Sequence, residues 1–141
     1  RTRLAVIPPV SIYQQCAYSV VTETTAQHSY VFFTEKIARA IVCQRLFIVL
    51  SSYRYLHYLR ESGFKTFDGI INESYDSLEW PGERQRAVIN EVERLVKSDV
   101  KIIDQTYDIR LHNRLNMYKL SEETYWDLYQ NIVNFLPEYK L

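Results

Sequence analysis

Three consecutive residues, Thr34, Glu35 and Lys36, have the types and spacing of a phosphate-binding helix start. They precede a short stretch with apolar residues at helical spacing, which predicts that they lie at a helix N-terminus. The first turn of a helix has backbone N–H groups without partners and is the positive end of the helix dipole, so it favours anions such as phosphate. The positive charge of a lysine is unfavourable at this positive end of the helix dipole. Lys36 therefore either faces an anionic ligand or extends into solvent, and the sequence leaves both interpretations open.

The flanking segments predict a repeated strand-helix unit that would position this helix start. Residues 18–23 are rich in β-branched side chains, and residues 46–50 form a continuous apolar run typical of a strand buried on both faces. A helix between two such strands is a βαβ unit with a right-handed crossover. The predicted elements are strand 18–23, helix 35–44, strand 46–50, helix 53–62 with Ser51 and Ser52 as caps and Gly63 at its end, and strand 64–67.

Ligands of open α/β sheets bind at the carboxyl ends of the strands. Glu23 ends the first predicted strand, and the loop that follows carries His28 and Tyr30. His28 has no identifiable partner, so a solvated loop histidine is the favoured interpretation. The candidate substrate-binding residues are Glu23, Tyr30, Thr34, Glu35 and Lys36. No catalytic residue and no metal site is predicted.

The remaining parts of the chain predict structural elements. Residues 1–17 are predicted to form an N-terminal strand, at 4–7, and a turn, and residues 18–76 the β-α-β-α-β core. Helices are predicted over 81–137, beginning at Pro81, after Ser98-Asp99 and at Ser121. In the first of these, Arg84 and Glu91 are assigned to a solvated face, with Val88, Ile89, Val92, Leu95 and Val96 facing inward. Residues 1–141 are thus expected to form a single α/β domain.

The composition excludes several classes of function. Lysine and arginine total 17 and aspartate and glutamate total 17, so no overall charge points to nucleic acid or to an anionic membrane. Cys16 and Cys43 lack a CxxC spacing, which favours free thiols in a reducing compartment. The longest apolar run, 46–50, is too short to span a bilayer. A cytoplasmic protein is therefore expected.

One family resemblance rests on the same residues. The segment Phe32-Phe33-Thr34-Glu35-Lys36, followed by a short helix and a buried strand, resembles the donor-binding motif Tyr-x-Thr-Glu-Lys of the α1,3-fucosyltransferases. The segment from Tyr58 to Asp76 is also similar to uncharacterised proteins of tailed phages, which would mean a location in the host cytoplasm. The similarity covers roughly residues 18 to 115.

The resemblance implies an α/β fold with a small parallel Rossmann-like sheet and crossover helices, followed by a helical C-terminal part. It implies a donor-binding domain that helps to transfer a sugar from a nucleotide-diphosphate sugar, with no separate cofactor. Glu35 would bind ribose or sugar hydroxyls, and Lys36 the diphosphate. The motif tyrosine is Phe32 here, so its hydroxyl could come only from Tyr30, and Cys43-Gln44-Arg45-Leu46 stands where the family has a small turn and a proline.

Enzymatic activity is left open by the resemblance. In the family the acceptor domain and its general base lie N-terminal to this region, so a separate acceptor domain is an expected partner. The chain begins with Arg1 and not with methionine, and the hypothesis that it is part of a longer protein stays open. The alternative function is a non-catalytic phage-type binding or structural module on a Rossmann-like scaffold, which the missing base and Phe32 favour.

Overall fold

A computed structural model of the chain describes residues 10–24 and 30–135. Within these ranges the chain is a mixed α/β protein with a two-stranded parallel sheet and five α-helices. In chain order the elements are α1 (Val10–Gln14), β1 (Tyr18–Thr22), α2 (Glu35–Val42), β2 (Leu46–Leu50), α3 (Tyr55–Glu61), α4 (Pro81–Lys97) and α5 (Tyr107–Phe135), with 3₁₀ helices at Glu73–Ser77 and Val100–Thr106.

The sheet confirms the two best-defined predicted strands. β1 and β2 pair in parallel, from Tyr18 opposite Leu46 to Thr22 opposite Leu50, and α2 connects them. Residues 46–49 of β2 are 1–3% exposed, as a continuous apolar run requires when both faces of a strand are covered. α2 packs against β1 and α5, and α4 packs against β2. The core of the protein therefore lies around β2.

The predicted third strand at 64–67 is wrong. The backbone of Lys65 is held by the side chain of Asn113, whose Oδ1 accepts from the Lys65 N–H at 2.7 Å and whose Nδ2 donates to the Lys65 carbonyl at 2.8 Å. The N–H of Phe67 donates to Glu73 Oε1 at 2.7 Å. Because side chains satisfy these backbone groups, the segment does not join the sheet. The predicted β-α-β-α-β core is reduced to one β-α-β unit.

Helix α3 begins at Tyr55, two residues after the predicted start, and Ser51 and Ser52 do not cap it. Both serines are buried, and their hydroxyls have no hydrogen-bond partner in the described part of the chain. The cap comes instead from Asp76, whose carboxylate accepts from the N–H groups of Leu56 at 2.8 Å and His57 at 3.1 Å. A distant carboxylate thus replaces the local hydroxyls that the sequence suggested. The helix ends before Gly63, at φ +83°, as predicted.

Helix α4 has the predicted bounds, but its buried face differs from the prediction. Arg84 is 2% exposed and Glu91 5% exposed, whereas Ile89 and Val96 are exposed. Arg84 Nε donates to the Ser51 carbonyl at 2.7 Å. The Glu91 carboxylate accepts from backbone and side-chain donors. Both charges have hydrogen-bond partners, which allows them to occupy the face that also buries Val88 and Leu95.

The chain ends also differ from the predictions. Residues 10–14 form helix α1 and not a turn, while the predicted strand at 4–7 lies outside the described residues. Ser121 starts no new helix, because α5 runs through it without a break. Asp99 caps a 3₁₀ helix by accepting from the Lys101 N–H at 3.0 Å.

Across residues 10–24 and 30–135, no helix combines the length and the apolar character needed to cross a membrane.

Candidate functional site

The candidate site lies at the carboxyl ends of β1 and β2. Glu23 follows β1, and its backbone N–H donates to the Leu50 carbonyl at 3.0 Å, which extends the pairing of the strands by one residue. This bond places Glu23 beside the end of β2. The chain then returns to the same region at Thr34, where α2 begins.

The Glu23 carboxylate is an internal anchor for the start of α2. Its Oε2 accepts from the Thr34 hydroxyl at 2.5 Å, and its Oε1 accepts from the Thr34 N–H at 3.3 Å. Oε1 also accepts from the Tyr55 hydroxyl at 3.0 Å. Glu23 is 5% exposed. Three donors therefore hold a buried carboxylate that ties β1, the start of α2 and α3 together.

Thr34 is the N-cap of α2, as the sequence predicts. Its backbone is extended, and its Oγ1 accepts from the Lys36 N–H at 3.2 Å. Of the four N–H groups that a helix start leaves without partners, those of Thr34 and Lys36 are therefore satisfied inside the protein. Those of Glu35 and Ile37 have no acceptor within residues 10–24 and 30–135.

The two charged residues of the motif differ in their surroundings. The Lys36 ammonium donates to Thr24 Oγ1 at 3.1 Å, so it lies beside the residue that follows Glu23. Glu35 is exposed, and its carboxylate has no partner among the residues described here. Lys36 is thus directed by the protein, whereas Glu35 is available to solvent or to a ligand.

Tyr55 is a member of this cluster that the sequence analysis missed. It is 1% exposed, and its ring packs edge-on against Phe33 with the centroids 5.1 Å apart. Burial raises the pKa of Tyr55, and the charge of Glu23 and their hydrogen bond raise it further. The hydroxyl therefore remains a donor to Glu23 across the physiological pH range. One feature of the sequence could have identified Tyr55: it lies at the start of the helix that follows β2, on the same edge of the sheet as Glu23.

A cavity of about 350 Å³ adjoins the start of α2. Tyr30, Phe33 and Tyr58 line it with aromatic rings, and Glu61 adds a carboxylate. A second cavity of about 380 Å³ shares Phe33 and Ser62 with the first and also contacts Thr34 and Glu35. The aromatic cavity and the helix start are therefore neighbours on one surface.

The structure brings most of the predicted site residues together. Glu23 contacts Thr34 directly, Lys36 joins them through Thr24, and Glu35 lies between Thr34 and Lys36 in the chain. Tyr30 is in the adjoining cavity and is 57% exposed. His28 lies outside the described residues. In the parts of the chain that the structure covers, no cluster of three or more histidine, cysteine, aspartate or glutamate side chains could hold a metal ion.

Comparisons of the chain with protein-family models, curated proteins and solved structures find no match.

Proposed function

We propose that the surface at the start of α2 binds the diphosphate of a nucleotide-sugar, and that the β1-α2-β2 unit is the core of a Rossmann-like donor-binding domain. One observation carries the proposal: a capped helix start with a lysine in its first turn lies at the carboxyl ends of two parallel strands. That is where open α/β sheets bind their ligands.

The diphosphate has a defined place in this proposal. The N–H groups of Glu35 and Ile37 have no acceptor in the described structure, and they lie at the positive end of the α2 dipole. The Lys36 ammonium is close by, held by a single bond to Thr24. Two backbone donors and one cation together supply contacts for one phosphate group. Lys36 would then neutralise the charge of the leaving diphosphate.

The sugar and nucleoside parts of the ligand have neighbouring contacts. Glu35 has a free carboxylate that can accept hydrogen bonds from ribose or sugar hydroxyls. The adjoining cavity offers the rings of Tyr30, Phe33 and Tyr58, and aromatic rings stack on nucleic acid bases. Its volume of about 350 Å³ is within the usual range for small-molecule sites.

Glu23 has a positioning role in this account. Because it is buried and accepts three hydrogen bonds, it fixes the helix start and does not itself touch the ligand. The contribution of this domain to sugar transfer is to orient the donor. We assign no general base, and a separate acceptor domain would supply it. Cys16 and Cys43 are both free thiols, in keeping with a cytoplasmic protein.

The alternative function is a non-catalytic binding or structural module of phage type on the same scaffold. One observation favours it: the Glu23 carboxylate already supplies an anion beside the start of α2 and satisfies the Thr34 N–H. An incoming phosphate would meet the negative charge of Glu23 as well as the helix dipole. In this alternative the Thr-Glu-Lys segment stabilises the fold and binds no nucleotide.

Calorimetric titration of the full chain with GDP, UDP and ADP separates the two functions. Donor binding requires saturable binding of at least one nucleotide, and Lys36→Ala should weaken it by roughly tenfold to a hundredfold. Lys65→Ala is the matched control, because Lys65 is an exposed lysine whose hydrogen bonds are made only by its backbone. Glu35→Gln should instead alter the preference for ribose over deoxyribose nucleotides. Absence of binding at millimolar nucleotide, or equal effects of Lys36→Ala and Lys65→Ala, would favour the structural module.

A further inference from the structure

A cavity of about 400 Å³ lies at the opposite end of the sheet from the candidate site, where α2 ends and β2 begins. Residues 42–45 form one wall, and Tyr13, Arg114 and Tyr118 complete the lining. None of these residues is acidic, although aspartate and glutamate are as numerous in the whole chain as lysine and arginine. Among the described residues that line it, two are arginines and none is acidic, which makes this cavity locally cationic.

The hydrogen bonds of the two lining arginines are incomplete. Arg45 donates through Nη2 to the Cys16 carbonyl, but its Nε is buried and has no acceptor in the described structure. The Arg114 guanidinium lies 5.5 Å over the ring of Tyr118, and its Nε is 3.3 Å from the Tyr118 hydroxyl. Neither arginine forms an ion pair with a described carboxylate. The two guanidinium groups therefore keep donor atoms that no described carboxylate satisfies.

A third arginine behind the cavity adds positive charge but is already used by the fold. Arg110 donates to the Gln44 carbonyl at 2.9 Å, to Thr106 Oγ1 at 2.9 Å and to the Ile103 carbonyl at 3.1 Å. Burial lowers the pKa of Arg110, and the nearby charge of Arg45 lowers it further, against the opposing charge of Asp104. Arg110 thus holds the turn between α2 and β2. The donors left for a ligand are those of Arg45 and Arg114.

We propose that this cavity binds the phosphate group of a small molecule between the guanidinium groups of Arg45 and Arg114. Arginine presents a planar fork of donors that matches phosphate oxygens. A nucleic acid backbone is disfavoured, because it needs a basic stripe, whereas this protein has a formal net charge of zero and the cavity is lined by two arginines. The site is independent of the nucleotide site proposed at the start of α2.

Inorganic phosphate is the probe for this site, titrated into the full chain at low ionic strength and followed by calorimetry and by backbone amide NMR. Saturable binding should shift the amides of Gln44 and Arg114, and Arg114→Gln should weaken it by roughly tenfold to a hundredfold. Arg86→Gln is the matched control, since it removes an exposed arginine of α4 far along the chain from this cavity. Lys36→Ala should also leave this binding unchanged.

Three results would overturn the proposal. The first is an absence of saturable binding at millimolar phosphate. The second is equal weakening by Arg114→Gln and Arg86→Gln, which would indicate a general attraction of charge. The third is binding that Lys36→Ala abolishes and Arg114→Gln does not, with amide shifts confined to the start of α2. That last result would locate the phosphate at the nucleotide site and would leave the proposed function intact.

Discussion

Thr34 is joined to Glu23 by two hydrogen bonds, from its hydroxyl to Oε2 at 2.5 Å and from its backbone N–H to Oε1 at 3.3 Å. The two residues are 11 positions apart and belong to different elements. The buried carboxylate thereby fixes the end of β1 to the start of α2. The geometry of the candidate site depends on this pair.

Glu23→Gln should lower the free energy of unfolding by about 1–3 kcal/mol, because an amide cannot accept from Thr34 and Tyr55 with both of its polar atoms. Urea unfolding followed by circular dichroism measures the change. Glu35→Gln, at an exposed residue of the same motif, should change stability by less than about 0.5 kcal/mol. Equal losses in the two variants would contradict the anchoring role of Glu23.

Asn113 takes the place of a neighbouring strand for residues 64–67. It is 1% exposed and bonds both backbone groups of Lys65. Asn113→Ala should therefore destabilise the protein by about 2–4 kcal/mol, since it removes two hydrogen bonds and leaves their partners unsatisfied. Asn90→Ala, at an exposed position of α4, provides the control in the same unfolding assay. A loss below about 0.5 kcal/mol for Asn113→Ala would show that the segment does not need this support.

The pKa of Glu73 is raised by burial, against the hydrogen bonds from Thr66 and Phe67 and the charge of Arg60. A folded-state pKa above the unfolded value means that the folded protein retains this proton longer. The associated stability is fully present below the ordinary value of 4.5 and is lost as the pH rises through the raised pKa. The stability of the unmodified protein relative to Glu73→Gln should therefore fall as the pH rises above 4.5. A flat difference across that range would refute the effect.

Glu91 should behave in the opposite way. Burial would raise its pKa, but the hydrogen bonds from Arg94 and Asn72 and the charge of Arg94 outweigh burial and lower it. Its contribution to stability is present above 4.5 and is lost as the pH falls through the lowered pKa. Urea unfolding at pH values on both sides of 4.5 measures the stability of the unmodified protein relative to Glu91→Gln. This difference should rise as the pH rises, whereas the difference relative to Glu73→Gln should fall.

Ile48 is at the centre of β2 and is 1% exposed. Ile48→Ala should cost about 2–5 kcal/mol through lost apolar burial and a cavity in the core. Ile89→Ala makes the same chemical change at a residue that is 49% exposed, so it should cost much less. A loss below about 1 kcal/mol for Ile48→Ala would show that β2 is not central to the core.

Sequence patterns predict the elements whose cause is local. The apolar run of β2, the cap at Thr34 and the proline that starts α4 are each visible within a few residues, and all three are found. Two of the wrong predictions, the third strand at 64–67 and the serine caps of α3, involve partners that are distant in the chain. Asn113 replaces a strand neighbour for Lys65, and Asp76 replaces a local cap for α3.

In the candidate site, too, residues with a local role were predicted and residues whose role depends on a distant partner were not. Thr34 and its neighbours were identified from local chemistry, whereas Tyr55 was missed because its role depends on a contact 32 residues away with Glu23. The buried charges of Arg84 and Glu91 were missed because their hydrogen-bond partners come from the loops around the sheet. Helical periodicity indicates a face, but it cannot tell whether a charge on that face has a buried partner.

Mapping the backbone amides of the full chain by NMR during titration with GDP, UDP and ADP tests the central claim most directly. The proposed function predicts that one nucleotide shifts the amides of Glu35, Lys36 and Ile37 in a saturable way, together with Tyr30 or Tyr58 in the adjoining cavity. Lys36→Ala should weaken these shifts, and Lys65→Ala should not. Two results would contradict nucleotide binding at this site. One is unchanged amide chemical shifts at the start of α2 at millimolar nucleotide. The other is chemical-shift changes confined to the cavity of Arg45 and Arg114.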